Sequence, residues 1–215
     1  MSDFKTFLRI REEYAKILPG WMAQYEATGD MRQDPYFMNW QFTPIERDVW
    51  SDIRTLGVPF YPQMPVLNYF IDFGNPFMKI GIECDGKAWH DYELDKARDK
   101  RLADAGWMIF RIEGHKCRRV IEPWSECEED NLGAIEEYFL NTSEGIVSAI
   151  KRRYFENRDY GKYEQFIEET LFQHRSTPET YPVLRPVVHS KEPVLIGDAL
   201  QDYINILLHR MRAAA

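Results

Sequence analysis

The sequence is poor in cysteine and lacks long apolar runs. Its three cysteines, Cys84, Cys117 and Cys127, are odd in number and show no paired spacing. That pattern indicates free thiols in a reducing compartment. No apolar stretch reaches the length of about 18 residues that a membrane-spanning helix needs. The N-terminus mixes charged residues into its apolar pattern and has no signal-peptide core. We therefore expect a cytoplasmic protein with no membrane partner.

A basic excess is also missing. The chain has 27 Lys and Arg against 35 Asp and Glu, a net charge of −8. Passive nucleic-acid binders usually carry a basic excess, so the charge argues against that class. It argues less against a nuclease, because a metal site concentrates carboxylates and the bound cation offsets them. With 215 residues, the chain can form one well-buried core with an added subdomain, or two small domains.

Residues 1–40 are predicted to form a helical arm. Apolar residues recur at helical spacing over residues 3–18, and Pro19-Gly20 is expected to end that helix. Residues 21–40 are rich in aromatic side chains and methionine, which favours an irregular helical segment that packs into a core.

Residues 41–117 show the element order helix, three strands, helix, strand, which predicts an α/β core. The first helix opens with a capping box, in which the side chains of Thr43 and Glu46 would accept hydrogen bonds from each other's backbone amides. Gly57 is expected to end this helix after about Leu56. The strands are predicted over 58–66, 69–73 and 78–84 with a turn at 74–76, followed by a helix over 91–105 and a strand over 107–112.

Residues 118–215 are predicted to form a helical C-terminal region. Amphipathic spacing indicates helices over 143–156, 161–174 and 197–212, with a proline-rich connector before the last of them. The apolar stripe of residues 197–212 is a candidate interface for a homodimer or a protein partner, or it packs within its own domain.

Acidic residues at strand ends form the most informative pattern. Asp72 lies in an apolar strand, and Glu83 and Asp85 end the next strand. If these strands are neighbours, Asp72 and Glu83 meet at one end, where two carboxylates repel unless a cation lies between them or one is protonated. Such oxygen ligands suit Mg²⁺, which can polarise a phosphate and activate a water. Each acid alone is explained as well by an ion pair with Lys or Arg, or by a turn at Asp85-Gly86.

His90 follows the acidic turn closely enough to face the same site. A neutral imidazole can take a proton from an attacking water near neutral pH. Asp95, on the following helix, is the candidate to orient His90 or a metal-bound water. The alternatives are a surface histidine and a solvated helix face with ion pairs.

Basic residues near these acids are candidates for phosphate binding, or they balance nearby acids. The candidates are Lys87, Arg98, Arg101 and Arg111.

The segment from Glu46 to Arg111 resembles the very-short-patch-repair-like branch of the PD-(D/E)XK nuclease superfamily, which includes the EDxHD homing endonucleases. The resemblance covers about a third of the chain, and order and spacing make it fairly specific. The matching residues are Glu46, Gln63-Met64-Pro65, Asp72-Phe73, Ile82 to Gly86, Trp89-His90, Asp95, Arg98, Leu102, Gly106-Trp107 and Arg111.

The resemblance implies a restriction-endonuclease-like core, a mixed sheet flanked by helices, with helical N- and C-terminal additions. It also implies a DNA endonuclease, of a homing or phage-associated kind, in a bacterial or phage-infected cell. Cleavage would use Mg²⁺, with Mn²⁺ as a substitute.

The same resemblance implies roles for the acids and for His90. Asp72 becomes the principal metal ligand, and the segment from Glu83 to Asp85 supplies a second ligand, in one version through the Cys84 carbonyl. His90 assists the nucleophile, while Glu46 and Asp95 complete the acidic set.

Two departures from the family pattern affect these expectations. Asp85 stands where the superfamily has a lysine, so His90, or Lys87 as the weaker candidate, takes that role. No four-ligand Cys and His set can be assembled nearby, so no structural zinc is expected. The alternative functions are a catalytically inactive DNA-binding or assembly module on the same fold, and a nuclease for RNA or branched DNA.

Overall fold

The structure is a computed structural model that describes residues 4–86, 92–121, 132–156 and 159–176. None of the helices in these ranges combines the length and the apolar character needed to cross a membrane.

The N-terminal helix, α1, spans Phe4–Thr28 and includes Pro19. The prediction that Pro19-Gly20 ends the helix is therefore wrong, and the helical part of the predicted 21–40 arm stops at Thr28. A proline removes one backbone N–H from a helix, whereas α1 gains tertiary packing on both sides of Pro19. Ile10 and Tyr14 are buried in an apolar cluster, and Trp21 packs against the same cluster.

Helix α2 spans Pro44–Leu56 and begins as the sequence predicts. The Thr43 side chain accepts from the Glu46 backbone amide, and the Glu46 carboxylate accepts from the Thr43 backbone amide at 2.7 Å. Gly57 ends the helix in the left-handed region with a φ of 65°. The predicted capping box is confirmed, and it holds the Glu46 side chain beside the start of the helix.

Five strands form one mixed sheet in the order in which they follow along the chain. The strands are β1 Tyr61–Val66, β2 Tyr69–Asn75, β3 Ile80–Asp85, β4 Met108–Glu113 and β5 Arg175–Ser176. Strands β3 and β4 run parallel, joined through helix α3, Tyr92–Asp104, and the other neighbours are antiparallel. The predicted α/β core with a mixed sheet flanked by helices is confirmed.

Strand β2 is longer than predicted and includes the first two residues of the expected turn, Gly74 and Asn75. Gly74 and Asn75 pair with Gly81 and Ile80 of β3. The buried Asn75 amide donates to the Pro59 carbonyl at 2.7 Å and accepts from the Met78 amide at 2.7 Å. Asn75 is a turn-forming residue type, but here its side chain stabilises the turn from within the strand.

The C-terminal segment contributes three helices within the described residues. Helix α4, Leu132–Asn141, was not predicted. Helix α5, Ser143–Ile150, continues as a π-helical turn to Phe155, in place of one helix over 143–156. Helix α6, Glu164–His174, follows a short 3-10 turn within the predicted range 161–174. The predicted helix over 197–212 lies outside the described residues.

The sheet is covered on both faces. Residues of α2, α4, α5 and α6 form one buried cluster with Phe73, Ile82 and Phe110. Residues of α1 and α3 form the other with Ile71 and Ile109. Segments assigned to the arm and to the C-terminal region thus pack on the sheet, while the domain limits at residues 40 and 117 remain a prediction.

His174, at the end of α6, is buried at 6% exposure and forms two hydrogen bonds. Its Nδ1 lies 2.8 Å from the Thr170 carbonyl, and its Nε2 lies 3.1 Å from Lys116 Nζ. The carbonyl can only accept and the ammonium can only donate, so this pattern requires a neutral imidazole. Burial first, and then Lys116, lower the pKa of His174 to about 4.

We expect His174 to make folding sensitive to acid. The folded pKa lies below the unfolded value of about 6.5, so the unfolded chain takes up the proton first and stability falls as the pH drops from about 6.5 to 4. The loss is at most about 1.4 kcal/mol per pH unit. Urea unfolding at pH 7, 6 and 5 should show a smaller loss for His174→Gln than for wild type. His115→Gln is the control, because that side chain is 59% exposed. Equal losses in wild type and His174→Gln would contradict this assignment.

Candidate metal centre at the ends of β2 and β3

Asp72 and Glu83 lie at the same end of the β2–β3 ladder. Phe73 pairs with Ile82, so Asp72, directly before Phe73, and Glu83, directly after Ile82, are the next cross-strand neighbours. The Asp72 carboxylate accepts a hydrogen bond of 2.8 Å from the Cys84 amide. The hairpin therefore brings together the two acids that the sequence analysis placed at one site.

The pKa of Asp72 is raised well above its usual value. Burial is the largest cause, followed by repulsion from Glu83 and then from Glu46, while the Cys84 amide and Arg98 act in the opposite direction. A carboxylate in this environment is protonated or needs a cation. The position therefore suits a bound cation or a neutral acid better than an isolated anion.

Glu46 approaches this site from α2. It is partly buried, and its charge acts on both Asp72 and Cys84. One of its oxygens is already held by the Thr43 amide in the capping box. A carboxylate has two oxygens with about four lone-pair positions, so a second interaction of Glu46 remains chemically open.

Cys84 separates Glu83 from Asp85 and is partly buried against the α2-side cluster. A hydrogen bond with the Cys117 thiol, burial and the charge of Asp72 raise the pKa of the Cys84 thiol. A protonated thiol is a poor ligand for Mg²⁺, which prefers oxygen. The group that Cys84 can offer to such a cation is its backbone carbonyl.

Glu83 has a guanidinium partner in this structure. Arg98 of α3 forms an ion pair with its carboxylate and also donates to the Phe70 carbonyl at 2.8 Å. The Arg98 side chain is 19% exposed and the Glu83 side chain is 7% exposed. Burial raises the pKa of Glu83 to about 7, although Arg98 and Arg111 oppose the rise.

Asp85 and Asp99 share the second guanidinium. Arg111 of β4 donates to Asp85 at 2.9 Å and to Asp99 at 2.7 and 3.3 Å. The Ser176 hydroxyl of β5 adds a 2.6 Å hydrogen bond to Asp99. Three strands and α3 are thus connected through one buried ionic network.

Arg98 and Arg111 were predicted to bind nucleic acid, but both guanidinium groups lie on carboxylates of this chain. A phosphate contact would require those pairs to break. Arg101 lies 3.5 Å from the Tyr69 hydroxyl. The alternative that the sequence left open, that such residues balance nearby acids, describes the observed contacts of Arg98 and Arg111.

The helical spacing places Asp95 and Asp99 on one face and favours Asp95 as the acid that orients His90 or a metal-bound water, although the sequence also holds a signal for Asp99. Leu102 is fully buried, and positions three and four residues earlier in a helix share its face. Those positions are Asp99 and Arg98. Their inward orientation could have been inferred from the helical pattern, and their partners could not.

His90 and Lys87 lie outside the described residues, and of Asp95 the structure describes the backbone within α3. Their predicted roles remain predictions. Among the described residues, no three His, Cys, Asp or Glu side chains are arranged to hold a metal ion. The candidate oxygen donors are the Asp72 carboxylate, the carbonyl of Cys84, whose amide donates to Asp72, and the Glu46 carboxylate, whose charge acts on Asp72.

This donor chemistry fits a hard divalent cation. All three groups offer oxygen, and burial, followed by the charges of Glu83 and Glu46, raises the pKa of Asp72. Mg²⁺ is usually bound through one or two carboxylates and keeps several waters, so a small set of protein ligands is sufficient.

Comparisons with known proteins identify the segment that contains these residues. Residues 45–122 match the model of REase_MTES_1575, a restriction endonuclease-like family. A protein of Haemophilus influenzae described as an uncharacterized protein is 36% identical over 86 residues, a match that covers 37% of this chain and 71% of the relative. No solved structure matches the chain. The relative is 36% identical and is matched over 71% of its length, and the sheet is of the mixed α/β kind expected of this family. The chain therefore belongs to the restriction endonuclease-like family that its residues 45–122 match.

Proposed function

We propose that this chain is a metal-dependent DNA endonuclease that hydrolyses phosphodiester bonds beside Asp72. The observation that carries the proposal is the position of Asp72 opposite Glu83 at one end of the β2–β3 ladder, where burial and the charges of Glu83 and Glu46 raise its pKa. Perturbed acids at a strand end are frequent at catalytic sites, and membership of a restriction endonuclease-like family supports the reaction type. A homing or phage-associated role rests on the resemblance alone.

In this proposal Asp72, the Cys84 carbonyl and Glu46 hold one Mg²⁺ or Mn²⁺. When bound, the ion offsets the charge of the scissile phosphate and favours ionisation of a nearby water. The Cys84 amide keeps the Asp72 carboxylate oriented through its 2.8 Å hydrogen bond. Glu83 and Asp85, which we also expected as ligands, would first have to separate from Arg98 and Arg111 to bind the ion directly.

His90 is proposed to take the proton of the attacking water. Imidazole has a pKa near working pH, whereas a lysine would need a strongly lowered pKa to act as a base. In the sequence, Lys87 follows Asp85 and Glu83 closely, and nearby negative charge favours its protonated form.

A catalytically inactive DNA-binding or assembly module is the second candidate, and one observation favours it. Glu83 and Asp85 are both neutralised by arginines, which is how a structural ion-pair network looks. Incubation of the full chain with supercoiled plasmid in Mg²⁺, Mn²⁺ or chelator separates the candidates. Conversion of the plasmid to nicked or linear DNA with Mg²⁺ or Mn²⁺, but not with chelator, supports the endonuclease. Binding of the plasmid without conversion supports the inactive module.

We expect Asp72→Asn to abolish metal-dependent cleavage without unfolding the chain. Loss of several kcal/mol of metal-derived stabilisation, at about 1.4 kcal/mol per factor of ten, lowers the rate by at least about a thousandfold. In the plasmid assay Asp104→Asn is the control, because that carboxylate is 64% exposed and pairs with Lys100. Normal cleavage by Asp72→Asn would remove the basis of the proposed function.

The same variant gives a signature in stability. A carboxylate whose folded pKa is raised contributes most below its unfolded pKa of about 4, and its contribution falls as the pH rises toward the folded pKa. In chelator at pH 7, Asp72→Asn should therefore melt above wild type, by about 2 to 4 °C for each kcal/mol gained. Mg²⁺ should raise the Tm of wild type and leave that of the variant unchanged.

His90→Ala should lower the cleavage rate by about two to four orders of magnitude, the usual contribution of a positioned acid–base group. The increase in Tm caused by Mg²⁺ should persist, because the proposed ligands remain. Lys87→Ala is the matched variant and should have a mild effect. An inactive Lys87→Ala together with a fully active His90→Ala would assign the base to the lysine.

Arg98→Ala should destabilise the fold by about 3 to 5 kcal/mol, because it leaves Glu83 buried without a charged partner. Removing both partners, as in Arg98→Met with Glu83→Gln, should restore most of the loss. Lys100→Ala, on the exposed face of the same helix, should cost no more than about 0.5 kcal/mol. Denaturant unfolding measures all three. Unchanged stability of Arg98→Ala together with weaker DNA binding would instead make Arg98 a phosphate contact.

A further inference from the structure

A cleft of about 530 Å³ lies between α1 and the segment of residues 38–43. Glu46 and Gln63 also line it. Its volume falls within the range of about 300 to 1,000 Å³ typical of sites for small organic groups. Of the residues that line this cleft, only Glu46 has a role in the proposed metal site.

The cleft reaches the candidate metal centre. The β1–β2 ladder pairs Pro62 with Phe73 and Met64 with Ile71, so the position opposite Asp72 is Gln63. Glu46, on the cleft wall, acts electrostatically on Asp72. A group held in the cleft is therefore a close neighbour of a phosphate bound at Asp72.

Gln63 has a strained backbone at this position. Its φ is 47°, in the left-handed region, although it lies within strand β1. For a residue other than glycine this conformation costs about 1 to 2 kcal/mol, and it interrupts the regular alternation of side chains. Strain of this kind clusters at ligand sites, where it redirects a side chain toward a ligand.

The chemistry of the wall matches a nucleotide. Asn39, Gln41 and Gln63 carry amide groups that both donate and accept, as the edge of a nucleobase requires. Trp40 and Phe42 are partly buried against the two cores and add aromatic surface to the wall, on which a base can stack. Arg9, which is exposed on the α1 side, supplies a cation for a phosphate.

The size of the cleft selects among forms of DNA. A paired base stays stacked inside a duplex that is far wider than this cleft, whereas an unpaired or extruded nucleotide can enter it. We propose that the cleft binds one unpaired nucleotide of a DNA strand beside the bond that is cut at Asp72. The position of the cut rests on the proposed function, and nucleotide binding itself does not.

Binding is tested with the full chain and two oligonucleotide duplexes that differ at one position. In one duplex a fluorescent 2-aminopurine is unpaired, and in the other it is paired with thymine. Calcium replaces magnesium, and a parallel series contains chelator. We expect at least tenfold tighter binding of the unpaired probe, together with a change in its fluorescence. Equal affinity for both probes would overturn the proposal.

Variants assign the binding to the cleft. Gln41→Ala and Arg9→Ala should each weaken binding of the unpaired probe by about fivefold to a hundredfold, the range for one lost base or phosphate contact. Arg47→Ala is the control for Arg9→Ala, because Arg47 is exposed on α2 and is not part of the wall. Gln63→Gly should relieve the strain, retain the wild-type Tm or exceed it, and still lose affinity. Unchanged affinity in Gln41→Ala, Arg9→Ala and Gln63→Gly would overturn the assignment.

Three further results separate this proposal from others. If free deoxyadenosine monophosphate displaces the probe at a concentration near the probe's own Kd, the cleft is a site for free nucleotides and the strand-binding proposal fails. Metal-dependent plasmid cleavage with no preference for unpaired DNA would retain the proposed function and reject the cleft. Preference for the unpaired probe without any cleavage would reject the endonuclease and retain the cleft.

Discussion

Burial of several carboxylates at one end of the sheet is the constraint on which this structure depends. Asp72, Glu83 and Asp85 converge there because β2 and β3 form a hairpin and β3 ends at Asp85. Asp72 is partly buried and Glu83 and Asp85 are buried, and an anion shielded from water is unfavourable unless it is paired, protonated or bound to a cation. The arrangement of α2, α3 and β4 around that end therefore decides which acids are neutralised by the chain itself.

The chain neutralises only part of this acidic group. Arg98 and Arg111 pair with Glu83 and Asp85, and both guanidinium groups are mostly buried. Asp72 accepts a hydrogen bond from the uncharged Cys84 amide, and Arg98 lowers the pKa of Asp72 by less than that hydrogen bond does. Glu83 and Asp85 therefore have arginine partners within the chain, whereas the hydrogen-bond partner of Asp72 is an uncharged amide. This asymmetry supports the proposal that a cation binds beside Asp72.

Local patterns predicted much of the fold and only part of the site. The Thr43 capping box and Gly57 were predictable because their interactions lie within one helix. The passage of α1 through Pro19 was not, because tertiary packing outweighs a missing amide. The same limit applies to the acids. Alternation and turn signals brought Asp72 and Glu83 together, but the choice of Arg98 as a partner depends on how α3 lies across the sheet.

The cleft lies beside this acidic strand end, and Gln63 of β1 lines its wall. Gln63 is the one position of β1 that is both opposite Asp72 and in the left-handed region. A regular strand at that position would continue the alternation of β1 and point its side chain according to the pleat. The irregularity instead coincides with the acidic strand end and with the wall of a cavity. Backbone strain, unmet charge and open volume therefore occur at neighbouring points of one sheet edge. None of the three stabilises the fold, and a bound metal ion and a bound nucleotide together would account for all of them.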